Sequence, residues 1–310
     1  MGFGLFWKEA GPSSSEQLAS IKKDLGLKGA SRKGIGHAGT LDPFAEGWLL
    51  VAWDEGTKLL SGLGDLTKTY EAEMLLGLSS ETFDTDTQSI EPYVFETLKE
   101  ADLEKYLASK VGRFFQVPPR FSAKKIAGQT AYDLARKGAD FELKSVEREL
   151  LKATHLSLSS SYSLSSLEEH VFSPTSVQKW KFLVKVSSGT YIRAFARDWA
   201  LELTGQASLL MSLKRVGMGS FFEDADKSPK IFKDIEDLAA YFEVEPQLFV
   251  ERQMPLPPLN FSPQSERGRL LLDNDKNIKA VWNTQGERWR YFANSPLKDP
   301  RETDSLAIKF

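Results

Sequence analysis

Cysteine is absent from this chain, which removes thiol nucleophiles, thiolate metal ligands and a disulfide framework from consideration. Histidine is nearly absent too. His37, His155 and His170 are widely spaced, a poor basis for a histidine-ligated metal. No stretch approaches the ~20 apolar residues of a membrane span. The first residues, Met1 to Lys8, lack the basic region and long apolar run of a secretory signal, so a cytoplasmic protein is expected. A large charge excess is also missing: 40 basic against 43 acidic side chains give a net charge of −3. That sum does not announce a nucleic-acid binder, but it can hide local patches, and phosphate contacts depend on the field near the site. Basic residues do cluster, at Lys28, Arg32 and Lys33; at Arg120, Lys124 and Lys125; at Arg136 and Lys137; and at Lys214 and Arg215. Singly, each reads as a solvated face.

The rest is ordinary globular material. With 310 residues, 41% hydrophobic and 27% charged, the chain suffices for a large core and two domains of unequal size. Ser13 to Glu16 reads as a capping box, with Leu18, Ile21 and Leu25 on one helical face and Gly26 as a stop. From Lys68 the period changes to two, and Tyr70, Ala72, Met74 and Leu76 share one face of a strand. A second strand runs from Trp180 to Val186. Helical patterns appear at Leu98 to Leu107, Ala131 to Lys137, Ile192 to Leu203 and Ile231 to Phe242. Strands and helices come in irregular order without a βαβ repeat, which predicts an α+β fold. The serine-rich stretch Leu156 to Ser166 reads as an edge hairpin or an excursion. Pro255 to Pro258 is the best linker candidate, dividing a domain over 1–250 from a small module over 261–310. That module has strand-like pieces at Arg269 to Leu272, Lys279 to Trp282 and Trp289 to Phe292.

The most unusual segment is Gly36-His37-Ala38-Gly39-Thr40-Leu41-Asp42-Pro43-Phe44-Ala45-Glu46-Gly47. Glycines flank His37, so the backbone can bend or approach a ligand closely. Pro43 holds Asp42 out of helical conformation. The apolar run Trp48 to Trp53 follows, which puts a carboxylate on a loop anchored to a buried strand. An Asp-Pro dipeptide alone would be an ordinary turn.

This segment resembles the catalytic loop of the TruB family of tRNA pseudouridine synthases, matching nearly every defined position. Further blocks follow in family order: Gly56 to Leu59; Lys68-Thr69-Tyr70 with Leu76-Gly77 and Thr82-Phe83-Asp84; Gln116 to Lys125 with Gly128 and Ala131 to Gly138; Ser188 to Arg193; and Leu213-Lys214-Arg215. Together they span about residues 2 to 221. Two departures stand out. Trp7-Lys8-Glu9 stands where the family usually has Asp-Lys-Pro, and Ser80-Glu81-Thr82 where it usually has Thr-Asp-Thr. The resemblance implies a pseudouridine-synthase fold with a mixed, mainly antiparallel central sheet, and a C-terminal module that is PUA-like or diverged.

It also implies a reaction and its residues: isomerisation of uridine 55 in the T arm of tRNA by a monomer with no obligatory protein partner. Nothing is oxidised, so no redox cofactor is expected, and no metal. Asp42 would attack C1′ or assist elimination by taking the 2′ proton. Tyr70 would pack on the flipped uracil and Arg193 would orient Asp42. His37 would fill the space left in the RNA loop. Tyr191 and Leu213 would line the pocket, with Asp84 an acceptor near the RNA and Lys58 a structural or backbone contact. Lys124, Lys125, Arg136 and Lys137 would contact phosphates. A rival from another class is a phosphotransferase, because Asp84 to Thr87 fits a short D-x-D-x-T signature; the hydrophobic strand that should precede it is missing. A second rival is an RNA-binding module without catalysis.

Overall fold

The computed structural model describes residues 2–27, 34–60, 66–87, 89–159, 177–219, 221–222, 226–232, 245–248, 269–272, 278–283 and 288–291. Ten strands form one sheet: β1 (Gly2–Lys8), β2 (Ile35–His37), β3 (Glu46–Trp53), β4 (Lys68–Leu76), β5 (Gly112–Gln116), β6 (Val146–Ser159), β7 (Gln178–Val186), β8 (Leu209–Met218), β9 (Phe221–Phe222) and β10 (Lys230–Phe232). Their order is β10-β1-β3-β8-β4-β7-β6-β5, with β2 on β3 and β9 on β8. Every pairing is antiparallel except β3 with β8, where Glu46 and Gly47 face Lys214 and Arg215 in parallel. The sheet is therefore mixed and mainly antiparallel, and the fold is α+β as the irregular element order predicts.

Among the described residues, four α-helices accompany it: α1 (Ser14–Asp24), α2 (Glu100–Lys110), α3 (Ala131–Arg136) and α4 (Ile192–Thr204). The α1 capping box is complete, since Glu16 N–H donates to Ser13 Oγ and Ser13 N–H donates to the Glu16 carboxylate. The alternation along β7 is strict, with Gln178, Trp180, Phe182, Val184 and Val186 all buried. Their inward rings meet α4, where Phe195 stacks on Trp199 at 4.2 Å and Trp199 contacts Trp180 and Phe182. Leu103 and Leu107 of α2 close the same core. Among the described residues, no helix is long and apolar enough to cross a membrane.

Two expectations change. Ile231 and Phe232 do not start a helix; they end the edge strand β10, paired with Gly4 and Phe3. Backbone partners on β1 and burial of Phe232 outweigh a weak helical period there, and residues 233–242 lie outside those described. Leu156 to Ser159 extend β6, with Leu158 opposite Trp180, while 160–166 lie outside the described residues. The proline-rich segment also lies outside them. A separate four-stranded sheet joins Glu245–Leu248, Arg269–Leu272, Ile278–Asn283 and Arg288–Tyr291. Its first strand precedes the proline-rich segment and pairs in parallel with Arg269–Leu272.

Candidate active site

The loop from β2 to β3 is held from below. Ala38 N–H donates to Leu50 carbonyl, and Gly39 then turns at φ +108°. Ser14 Oγ both accepts from Leu41 N–H and donates to its carbonyl, each at 2.9 Å. The Asp42-Pro43 turn closes with Ala45 N–H on Asp42 carbonyl, and Gly11 N–H donates to Pro43 carbonyl at 2.8 Å. Beneath it, the fully buried Lys8 ammonium donates to the carbonyls of Ala45 (2.6 Å), Glu9 (3.0 Å), Asp42 (3.2 Å) and Pro43 (3.2 Å). Burial pushes Lys8 down to about 8, against the pull of Asp42. Gly47, at φ +131°, ends the loop where β3 meets β8. A Cβ there would lie 2.5 Å from the Arg215 carbonyl, so only glycine lets the two backbones approach. The Arg215 side chain folds back to donate to Trp48 and Gly39 carbonyls.

Asp42 thus presents a carboxylate that is 31% exposed, and Arg193 meets it from the second residue of α4. The guanidinium is 4% exposed, and each of its three nitrogens donates a hydrogen bond. Its Nε donates to Asp42 Oδ2 at 2.7 Å, Nη1 to Thr82 carbonyl at 2.9 Å, and Nη2 to Phe121 carbonyl at 2.7 Å. Asp84 Oδ2 is 3.3 Å from Nη1, so one arginine serves two carboxylates. Burial opposes the charge on Arg193, but Asp42 and Asp84 together raise its pKa. Asp84 is pushed up to about 6 by burial, with Arg193 and the Thr82 hydroxyl pulling the other way. Thr82 Oγ1 and Asp86 N–H both donate to Asp84 Oδ1.

A cavity of about 220 Å³ opens over Asp42 and Arg193, with Tyr70, Tyr191, Leu213 and Lys68 in its wall. The size suits one nucleobase with part of its sugar. Tyr70 comes from the buried face of β4, and burial pushes the Tyr191 hydroxyl pKa up. The structure therefore brings Asp42, Tyr70, Arg193, Tyr191 and Leu213 around one space, although they are up to 171 positions apart in sequence (213 minus 42). Asp84 lies behind Arg193 and not in the cavity wall.

His37 ends β2 outside the cavity wall. It is half-buried, its Nδ1 has no hydrogen-bond partner among the described residues, and burial, then Arg215, lowers its pKa. Lys124, Lys125, Arg136 and Lys137 are exposed on a hairpin and on α3, in the segment whose Ala123 lines the cavity. Ala131 N–H on Lys124 carbonyl ties hairpin and helix together. Lys58 falls in the 3-10 turn Asp54–Leu59, with its side chain outside the described residues, as are Lys28, Arg32 and Lys33. The D-x-D-x-T reading finds no support in the local fold. Asp84 forms one isolated bridge with Leu210, and its carboxylate is occupied by Thr82, Asp86 and Arg193.

Residue-by-residue reading overlooked Lys8, Ser14 and Gln116. Lys8 had two signals, a charge closing an otherwise apolar strand and its match to the lysine of the family's Asp-Lys-Pro; Ser14 had none beyond its place in the cap, and Gln116 none beyond opening a block that resembles the family.

The family described as TruB family pseudouridylate synthase (N terminal domain) has a sequence model that matches residues 27–192. A tRNA pseudouridine synthase B of Mycoplasma mobile is 37% identical over 219 residues, 71% of this chain and 69% of that one. The protein of the same name from Campylobacter curvus is 33% identical over 278 residues, 88% of this chain and 91% of its relative. Among solved structures, a chain of a Cbf5–Nop10–Gar1 complex superposes with a TM-score of 0.58 at 19% identity, covering 91% of this chain and 78% of its own, a likeness of fold. This chain belongs to the TruB family of pseudouridylate synthases.

Proposed function

We propose that this protein converts uridine 55 in the T arm of tRNA to pseudouridine, with Asp42 starting the reaction. The observation that carries this reading is the Asp42–Arg193 pair at the floor of a base-sized cavity in a TruB-family chain. The reaction breaks N1–C1′ and forms C5–C1′; C5 loses its proton and N1 regains one from solvent, so substrate and product are isomers. Asp42, held by Arg193, either attacks C1′ or takes the 2′ proton; both routes begin at the same carboxylate. The uridine must first leave its stack, which costs about a few kcal/mol. Tyr70 receives the flipped uracil on its ring and its hydroxyl side faces the C5 proton. Tyr191 and Leu213 complete the pocket, while His37, at the rim of the same loop, occupies the gap the base leaves. Asp84 holds Arg193 from behind. Lys124, Lys125, Arg136 and Lys137 take phosphates, because they are exposed in the segment whose Ala123 lines the cavity.

Asp42, Tyr70 and Arg193 meet around one cavity without a residue from a second chain, which supports action without an obligatory protein partner; we assign the protein to the cytoplasm, as a monomer. We assign the strands Arg269–Leu272, Ile278–Asn283 and Arg288–Tyr291 to a small RNA-facing module over 261–310, PUA-like or diverged. Incubation with unmodified tRNA tritiated at uridine C5 tests the whole reading. Tritium release, with pseudouridine mapped to position 55, is the expected result; no release from the isolated protein would sink it.

A further inference from the structure

Gln116 is the last residue of β5 and is 2% exposed, yet its amide does not serve the sheet. Its Nε2 donates to the Tyr191 carbonyl at 3.1 Å, and its Oε1 accepts from Tyr191 N–H at 2.9 Å. Both backbone groups of one residue are taken by one side chain, a two-point clamp that an amide makes at any pH because it donates and accepts at once, whereas a carboxyl group can do so only when protonated. Tyr191 is the N-cap of α4 and has no cap bond from its own side chain. The helix opens with Ala194 N–H on that same Tyr191 carbonyl, at 3.1 Å. The start of α4 is therefore fixed by a side chain 75 positions earlier.

The consequence lies two residues on. Arg193 reaches Asp42 only if α4 starts where it does, because a slip of one residue turns a side chain by about 100° and shifts it by about 1.5 Å. The chain after Gln116 runs along the same end of the helix: Val117 carbonyl accepts from Arg197, and Phe121 carbonyl accepts from Arg193 itself. On the other side, Arg148 Nε donates to Gly189 carbonyl and Ser187 N–H to Glu149 carbonyl. Among these braces, the Gln116 amide alone grips the cap residue.

We propose that Gln116 is a positioning residue for the reaction: its amide clamps Tyr191 and so sets the start of α4 that aims Arg193 at Asp42. The role rests on the reading of Asp42 and Arg193 as the reaction centre. Its test uses the full chain, unmodified C5-tritiated tRNA, single-turnover rates with enzyme in excess, and tRNA Kd by filter binding. Gln116→Leu keeps the volume and removes both bonds. Its rate should fall about tenfold or more, the scale of a small misplacement, with Kd changed less than about twofold, since a buried side chain offers RNA nothing. Gln116→Glu adds a readout that simple packing would not move. Ionised, the carboxylate opposes the Tyr191 carbonyl; protonated, it donates and accepts as the amide does, and burial favours that form. The rate of Gln116→Glu relative to wild type should therefore recover as pH is lowered from about 8 to about 5.5, while that of Gln116→Leu stays flat. A Gln116→Leu rate within about twofold of wild type, equal losses of rate and affinity, or a flat Gln116→Glu ratio would each overturn the role. If Gln116→Leu fails to fold, the Gln116→Glu ratio decides. Wild type releasing no tritium would instead overturn the reaction itself, and this role with it.

Discussion

Replacing Arg193 with lysine keeps the positive charge and removes the fork, and the structure sets what should follow. The guanidinium donates in three directions, to Asp42, to Thr82 carbonyl and to Phe121 carbonyl, and also lies against Asp84. An ammonium gathers its donors on one atom and cannot span these acceptors. At least two charge-assisted bonds should disappear, each worth about 1.5–3 kcal/mol. Removal of the Asp42 bond alone, if it orients the carboxylate only as the transition state forms, corresponds to a roughly 10- to 100-fold slower step. The guanidinium is 4% exposed, so it offers no phosphate contact and tRNA affinity should stay within about threefold. Single-turnover tritium release and filter binding, measured on one preparation of Arg193→Lys, separate the two quantities. Equal losses in rate and affinity would refute the reasoning and make Arg193 a phosphate contact.

Three other outcomes are expected. Gly47→Ala should reduce stability in denaturant by about 3 kcal/mol or more, because its Cβ would meet the Arg215 backbone at 2.5 Å with φ at +131°; a change below about 0.5 kcal/mol would contradict the close approach of β3 and β8. Asp84 should titrate near 6, where an ordinary aspartate titrates at 3.8. With the folded pKa above the unfolded one, the cost of the ionised form is present above about pH 6 and fades as pH falls toward 3.8, so the native chain takes up a proton that the unfolded chain does not. The carbon-13 shift of the Asp84 carboxyl reads this directly, and a midpoint at or below 3.8 would contradict burial as the dominant effect. The double substitution Lys124→Gln with Lys125→Gln should weaken tRNA binding and reduce the salt slope by about 0.7–0.9 for each phosphate these lysines neutralise; an unchanged slope would remove them from the interface.

Much of the frame was legible in local patterns, and the missing parts share a cause. The capping box at Ser13 and Glu16 and the two-residue period from Tyr70 to Leu76 are local, so α1 and β4 could be read directly. The loop around Asp42 was legible only through its likeness to a family motif; by itself it is an Asp-Pro turn. What holds that loop was not legible. Lys8 reaches it from β1, and Arg215 crowds Gly47 from β8, 168 positions away (215 minus 47). Such partners depend on strand order, which no local period encodes. Gln116 is the same case, since its amide matters only once β5 lies beside the start of α4. The helix expected from Ile231 does not begin there for a related reason, as pairing with β1 decides the fate of Ile231 and Phe232. Asp84 also meets Arg193 from the side away from the cavity, a contact that could not be seen in sequence because it needs one buried arginine shared by two carboxylates.

The central claim is that the Asp42 carboxylate starts the chemistry, and Asp42→Asn tests it most directly. Asparagine keeps the size and an oxygen for the Arg193 Nε–H, so tRNA binding and folding should match wild type. Under single-turnover conditions with C5-tritiated tRNA, wild type should release tritium and Asp42→Asn should release none above background. Release by Asp42→Asn within about tenfold of wild type would contradict the account, since that is far less than removal of an essential group costs.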